Sequence, residues 1–161
     1  MDTIITRIGV DSVPELITSV AGLFAEDGGK RDRYIDTAWP KREGTNYYAN
    51  LLGADRSLCL LAYARTKTPR VTPAGHLIGR IGHPNALRPN AVVAVLESMR
   101  VKPDHRRQGV GTLLMEHFYK WAQLQGATEA SVTAYATNSS ATEFYRHQGF
   151  TPFELTLHLA L

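Results

Sequence analysis

A single thiol, Cys59, is all the cysteine chemistry this chain of 161 residues carries. One cysteine excludes an internal disulfide and leads us to expect a reducing, cytoplasmic compartment. It sits inside an apolar run, where it reads as a core residue. No apolar stretch approaches the roughly 18 residues that a membrane helix needs, so no membrane association is expected. The start, Met1-Asp2-Thr3, lacks the basic and apolar regions of a signal peptide. The six histidines have no metal-ligand spacing and no Cys/His cluster accompanies them, so no metal is expected. Gly-x-Ser-x-Gly is missing, which removes the support for a Ser-His-Asp hydrolase. Repeats, low-complexity segments and linkers are also missing, and one domain over residues 1–161 is expected.

Charge is present but unevenly distributed. The net charge is only +3. Residues 1–55 carry −3, residues 56–107 carry +8 and residues 108–161 carry −2. A strongly basic middle suits a compact polyanion such as a nucleotide cofactor. Nucleic acid is not expected as a partner, because no helix carries a basic stripe and no RNA-recognition or zinc-finger signature is found.

Periodicity gives the order of elements. Thr3 to Ile8 reads as a strand, and Val13, Leu16, Ile17, Val20 and Leu23 keep helical spacing up to Gly28-Gly29. Residues 30–43 are charged and aperiodic, with Pro40 opposing one continuous helix. Glu43 to Leu52 reads as a short helix. Strands follow over Ser57–Arg65, Gly75–Gly82 and Val92–Val101, the first two separated by a loop from Thr66 to Pro73. Val110 to Leu124 is an amphipathic helix. Ala130 to Ala134 is a strand, Ser140 and Glu143 form a capping box for a helix to Gln148, and Phe153 to Leu161 is a last strand. The pattern is a mixed sheet flanked by helices, an α/β layered fold.

The most informative stretch joins the third strand of that run to the amphipathic helix: Arg106-Arg107-Gln108-Gly109-Val110-Gly111. A strand ending in a glycine-rich basic turn that opens into a helix cradles a pyrophosphate, because the turn's amides and the helix N-terminus point at the anion. Gly109 to Leu114 lacks the third glycine of a dinucleotide fingerprint, and Glu129, at the spacing of the ribose-binding acid, precedes its strand. The lysine-bearing loop of nucleoside triphosphatases is absent.

The stretch does resemble Arg/Gln-x-x-Gly-x-Gly/Ala, the acyl-coenzyme A loop of the GNAT superfamily of N-acetyltransferases, with Arg106, Gly109 and Gly111 at its fixed positions. Leu96 to Pro103 is similar to the family's fourth strand with its Val-x-Pro exit. Asn138, Ala141, Phe144-Tyr145 and Gly149-Phe150 are similar to its late motif. The motifs span residues 92–150 in the right order. The resemblance implies a GNAT fold, a mixed central β-sheet of six to seven strands with about four helices. It also implies transfer of an acetyl group from acetyl-CoA to a small-molecule or peptide amine by direct attack within a ternary complex. A non-catalytic acyl-CoA sensor is the alternative.

By this resemblance the amides of Arg107, Gln108, Gly109, Val110, Gly111 and Thr112 hold the pyrophosphate, with Arg106 and Arg107 adding charge. Backbone groups of Met99 and Val101 pair with the pantetheine. Tyr145 lies near the sulfur as proton donor, and Asn138 contacts the pantetheine or caps its helix. Strand alternation places Val93, Val95, Glu97, Met99 and Val101 on one face. Glu97 is thus an acid among apolar residues, suited to take a proton from the acceptor ammonium or to bind it, or else to pair with Arg80 or Arg100. Asp27, Trp39, Tyr47 and Tyr48, with Glu97, are the candidate acceptor contacts, since acid plus aromatic rings suit a cation. The acceptor's identity and the oligomeric state stay open, with a homodimer paired through the last strand among the options.

Overall fold

The computed structural model describes residues 2–65 and 72–161, so most of the loop expected over Thr66–Pro73 lies outside the described residues. Its elements are β1 (Thr3–Arg7), α1 (Val13–Glu26), α2 (Gly28–Arg31), α3 (Trp39–Gly53), β2 (Ser57–Ala64), β3 (Gly75–Ile81), β4 (Val93–Val101), α4 (Val110–Leu124), β5 (Glu129–Val132) and α5 (Ser139–His147). The strands form one sheet in sequence order. The first four run antiparallel to their neighbours, and β5 pairs parallel to β4.

β2 explains the layering. Its apolar run is buried on both faces, as a central strand with helices above and below must be. Leu58, Leu60 and Ala62 join a core with α4, where Leu114, Met115 and Phe118 are fully buried. Cys59 and Leu61 point the other way, into a core with Leu16 and Val20 of α1 and Tyr48 of α3. The helices α1 and α3 therefore cover one face of the sheet, and α4 and α5 cover the other.

Several expectations need correction. No continuous helix runs over residues 30–43, as expected, but the second helix starts before Glu43; α3 begins at Trp39 with Pro40 in its first turn. There the ring removes an N–H that has no helical acceptor anyway. The cap of α5 is Asn138, whose side-chain oxygen accepts from the Ala141 amide at 3.1 Å, in place of the Ser140–Glu143 box. Five strands are present among the described residues, not six to seven. Residues 153–161 carry a strand pattern but take no regular structure. A strand needs a neighbour to receive its main-chain hydrogen bonds, and among the described residues none lies beside this segment.

Alternation along β4 is also interrupted. The register with β3 shifts between Ile78 and Gly79, so that Ser98 faces Ile78 while Leu96 faces Gly79, and Glu97 is the extra residue of a bulge. Met99 and Val101 accordingly pack in the same core as Ala94 and Leu96. Glu97 turns toward α3, not onto one face with Met99 and Val101.

Candidate active site

The site begins where β4 and β5 part. Their ladder runs from Val93 opposite Glu129 to Leu96 opposite Val132 and stops there. β4 continues for five more residues. The Lys102 amide donates to Ala74 beside β3 at 2.7 Å. Counting back by the strand period, the main-chain groups of Met99 and Val101 face away from β3, into the opening that β5 has left. The Val101 carbonyl accepts from Nε of Arg106 at 2.8 Å, on that outward side.

Beyond β4 the chain turns through Pro103–His105 and enters α4. Arg107 (φ 59°) and Gly109 (φ 81°) both adopt the left-handed region. Such turns bring successive N–H groups round to one concave side. Among the described residues, the amides from Arg107 to Thr112 have no backbone acceptor. Leu113 is the first to close a helical bond, onto the Gly109 carbonyl at 3.0 Å. Six donors and the positive end of a four-turn helix thus converge. The two glycines have different work. Gly109 supplies the positive φ. At Gly111 a Cβ would lie 3.1 Å from the Phe144 ring and 3.2 Å from the Met99 methyl, so the residue lets α4 approach β4 and α5 closely.

The two arginines of the turn also differ. Arg106 donates to Glu26 at 2.6 Å as well as to Val101, and Arg100 donates to both oxygens of Glu26 at 3.1 and 3.2 Å. The Arg106 guanidinium therefore ties α1 to the end of β4. Among the described residues the exposed Arg107 side chain has no polar partner. Gln108 donates to the Asp104 carbonyl at 3.1 Å, and Thr112 accepts from Gln148 at 3.4 Å.

Tyr145 sits half-buried on α5 between Phe144 and Phe150, with its ring edge-on to both. Burial, with Asp27 and Tyr119 nearby, pushes its phenol up to about 12. It stays protonated at neutral pH. Asn138 caps α5 with its oxygen and donates from its amide to Asp27 at 3.0 Å. Asp27 also takes the Arg31 guanidinium at 2.7 Å, and Arg31 reaches the Thr137 carbonyl at 2.9 Å. The α1–α2 corner is thereby fastened to the loop before α5.

Glu97 faces α3. Its Oε1 accepts from the Tyr47 hydroxyl at 2.6 Å and lies 3.4 Å from Nε of Arg80. Burial and the Glu97 carboxylate push the Tyr47 phenol up to about 12. Trp39 stacks with Phe24 and meets Tyr47 edge-on, with ring centroids 5.2 Å apart. Tyr48, only 3% exposed, is a core residue that supports these rings from behind. The acids of this wall are already compensated, with Asp36 and Glu43 both on Arg42.

Sequence reasoning passed over Glu26 as the hub for Arg100 and Arg106. Its partners lie 74 and 80 residues away, and no local pattern announces such a pair. Among the described residues no group of three potential metal ligands occurs, and no helix is long and apolar enough to cross a membrane.

Residues 26–150 match the Acetyltransferase (GNAT) family. The chain belongs to the GNAT acetyltransferase family. A curated relative, the aminoglycoside N(6')-acetyltransferase type 1 of Klebsiella aerogenes, is 42% identical over 59 residues, which cover 37% of this chain and 39% of the relative. Two solved structures share the fold over nearly their whole lengths. AAC(6')-Iy in complex with the bisubstrate analogue CoA-S-monomethyl-acetylneamine has a TM-score of 0.76 at 16% identity, covering 100% of this chain and 99% of that one. The aminoglycoside 6'-N-acetyltransferase AAC(6')-Ih from Acinetobacter baumannii has a TM-score of 0.76 at 20% identity, covering 99% and 98%.

Proposed function

We propose that this GNAT protein moves an acetyl group from acetyl-CoA to a primary amine of a cationic small molecule, aminoglycosides being the first class to test. The observation that carries the reading is the set of six unengaged amides from Arg107 to Thr112, adjoining the opening between β4 and β5. Unspent donors of this kind fit a diphosphate. Acetyl-CoA supplies the activated acyl thioester. The chain's own part is to hold and orient. The cradle and Arg107 bind the diphosphate. The outward groups of Met99 and Val101 pair with the pantetheine amides as an added strand would. An outward N–H there polarises the acyl carbonyl.

Both contacts of Glu97 use Oε1, which leaves Oε2 to take the ammonium proton directly or through water. The neutral amine then bonds to the acyl carbon as the carbon–sulfur bond breaks, the Tyr145 hydroxyl donates a proton to the departing sulfur, and the second proton of the attacking nitrogen passes through water back to the Tyr145 oxygen, leaving a neutral amide, a neutral thiol and a restored phenol. Trp39 and Tyr47 flank the acceptor, with Asp27 at the corner. Asn138 acts here by holding that corner. The similarity of part of the chain to an aminoglycoside acetyltransferase supports the acceptor class.

The test is acetyl-CoA with a panel of aminoglycosides, polyamines, amino acids and peptides, read by free-thiol release and product mass. Thiol release with an acetylated aminoglycoside supports the full proposal. Acetylation confined to peptides removes the acceptor class alone. Binding of acetyl-CoA without acetylation of any amine leaves the sensor reading instead.

A further inference from the structure

Where α1 lies over β4, its inner face is polar. Ser19, Gly22 and Glu26 follow helical spacing along that face. The Ser19 hydroxyl is hydrogen-bonded to His76 at 2.7 Å, and His76 to the Ser98 hydroxyl of β4 at 2.8 Å. Gly22 leaves the room that the Arg100 guanidinium fills; a Cβ there would collide with it. Glu26 closes the row, with both of its oxygens on Arg100. A helix normally turns an apolar stripe to its sheet. This seam instead admits a charge beneath α1.

The Arg100 side chain is only 14% exposed. A cation so far out of water needs an opposite charge beside it. Glu26 supplies that charge, but not to Arg100 alone: its Oε1 also takes the Arg106 guanidinium at 2.6 Å. Two cations share one anion, which leaves +1 in the cluster. The neighbouring Asp27 is paired with Arg31 at 2.7 Å and is not free to offset it. Glu26 also stands on a border. Arg106 begins the turn that forms the cradle. On the other side Phe24 stacks with Trp39 of the acceptor wall, ring centroids 6.1 Å apart, and Glu97 lies just before Arg100 on β4. A polyanionic donor and a cationic acceptor require opposite fields on the two sides of this border.

The geometry points to Glu26 as a specificity-determining residue: its one carboxylate confines the positive field of Arg100 and Arg106 to the cradle side, so that a polycationic amine can reach the acceptor wall. This rests on the proposed acetyl transfer to a cationic amine, and it names the group that sets how much acceptor charge is tolerated. Removing the carboxylate's charge raises the cluster from +1 to +2. The added charge attracts the donor and repels the acceptor, whereas a loss of shape would weaken both.

Glu26→Gln keeps the shape and removes the charge. Coenzyme A affinity is read by calorimetry. KM is read by thiol release for neamine, a polycation, and for 6-amino-6-deoxyglucose, a monocation. In Glu26→Gln coenzyme A is expected to bind about threefold tighter, with KM up about tenfold for neamine and about twofold for the monoamine. These changes are expected to shrink in about 0.5 M salt. Glu26→Asp keeps the charge and shortens the reach, and is expected to leave the ratio of the two KM values in place. Arg100→Gln covers a Glu26→Gln variant that fails to fold. It removes a cation and keeps the acid, and is expected to shift that ratio the other way. Weaker binding of both coenzyme A and neamine in Glu26→Gln overturns the assignment. So does an equal change of the two KM values, a Glu26→Asp variant that matches Glu26→Gln, or an unmoved ratio in Arg100→Gln. Thiol release with neither amine in the wild type overturns the acceptor reading itself, and this assignment with it.

Discussion

The Tyr47 hydroxyl donates to Oε1 of Glu97 at 2.6 Å, joining α3 to the bulge of β4. The two residues are 50 positions apart. Without the bulge, Glu97 would follow the strict alternation of the strand. With it, the carboxylate is aimed at the aromatic wall, and Arg80 approaches the same oxygen. One acid is thus oriented by a neutral donor and shared with a cation.

Glu97→Gln is expected to lower kcat/KM by about 10²-fold, within the usual range for loss of a general base. A residue that only binds the ammonium would raise KM and leave kcat in place. Arg80→Ala should act in the opposite direction and lower KM for a cationic amine, because the competing guanidinium is gone. Steady-state kinetics over pH 6–9 decides between these outcomes; an unchanged KM in Arg80→Ala would remove the competition.

Gly109→Val tests the cradle. Its φ of 81° is costly for a β-branched residue, and no atom lies near enough to clash. The substitution therefore acts on the turn alone. Acetyl-CoA affinity, read by calorimetry, is expected to fall at least tenfold, and the strain of about 1–3 kcal/mol is expected to lower the melting temperature by several degrees without loss of the fold. Arg107→Ala should also weaken binding, and the loss should shrink at high salt. Arg106→Ala should lower stability more than affinity, since its guanidinium holds Glu26 and Val101.

Much of this was legible in the chain itself. The period of β2 and α4, the glycine turn and the GNAT motifs over residues 92–150 placed the cradle, because each is a local pattern written in consecutive residues. The bulge at Glu97 was not legible, since it depends on the register with β3. The start of α3 was placed too late, at Glu43, because proline opposes a helix interior yet suits a first turn, and only the helix start decides which applies. The alternation over Phe153–Leu161 reads as a strand, but alternation alone supplies no neighbouring strand, and among the described residues none pairs with this segment.

Tyr145→Phe should reduce turnover by about 10²-fold and change acetyl-CoA affinity less than twofold, the signature of a lost proton donor. The ring packing with Phe144 and Phe150 is kept in the variant. With the phenol near 12, the donor is present throughout pH 6–10 and would be lost only as pH rises beyond that. An alkaline limb below pH 10 must therefore belong to another group. Equal turnover in the variant, measured by thiol release, would remove Tyr145 from the mechanism.

His76 gives the fold a dependence on acid. It is fully buried between the Ser19 hydroxyl on Nδ1 at 2.7 Å and the Ser98 hydroxyl on Nε2 at 2.8 Å, linking α1, β3 and β4. Burial, aided by Arg100, lowers its pKa to about 3. The folded chain thus keeps His76 neutral while the unfolded chain takes up a proton below about 6.5. The unfolded state binds more protons in that window, so stability is lost as pH falls from 6.5 toward 3. The slope reaches about 1.4 kcal/mol per pH unit from this group. Urea unfolding at pH 5.0 and 7.5 should show it. In His76→Gln, which does not titrate, this group's share of the slope should disappear. An identical pH dependence in both proteins would refute the assignment.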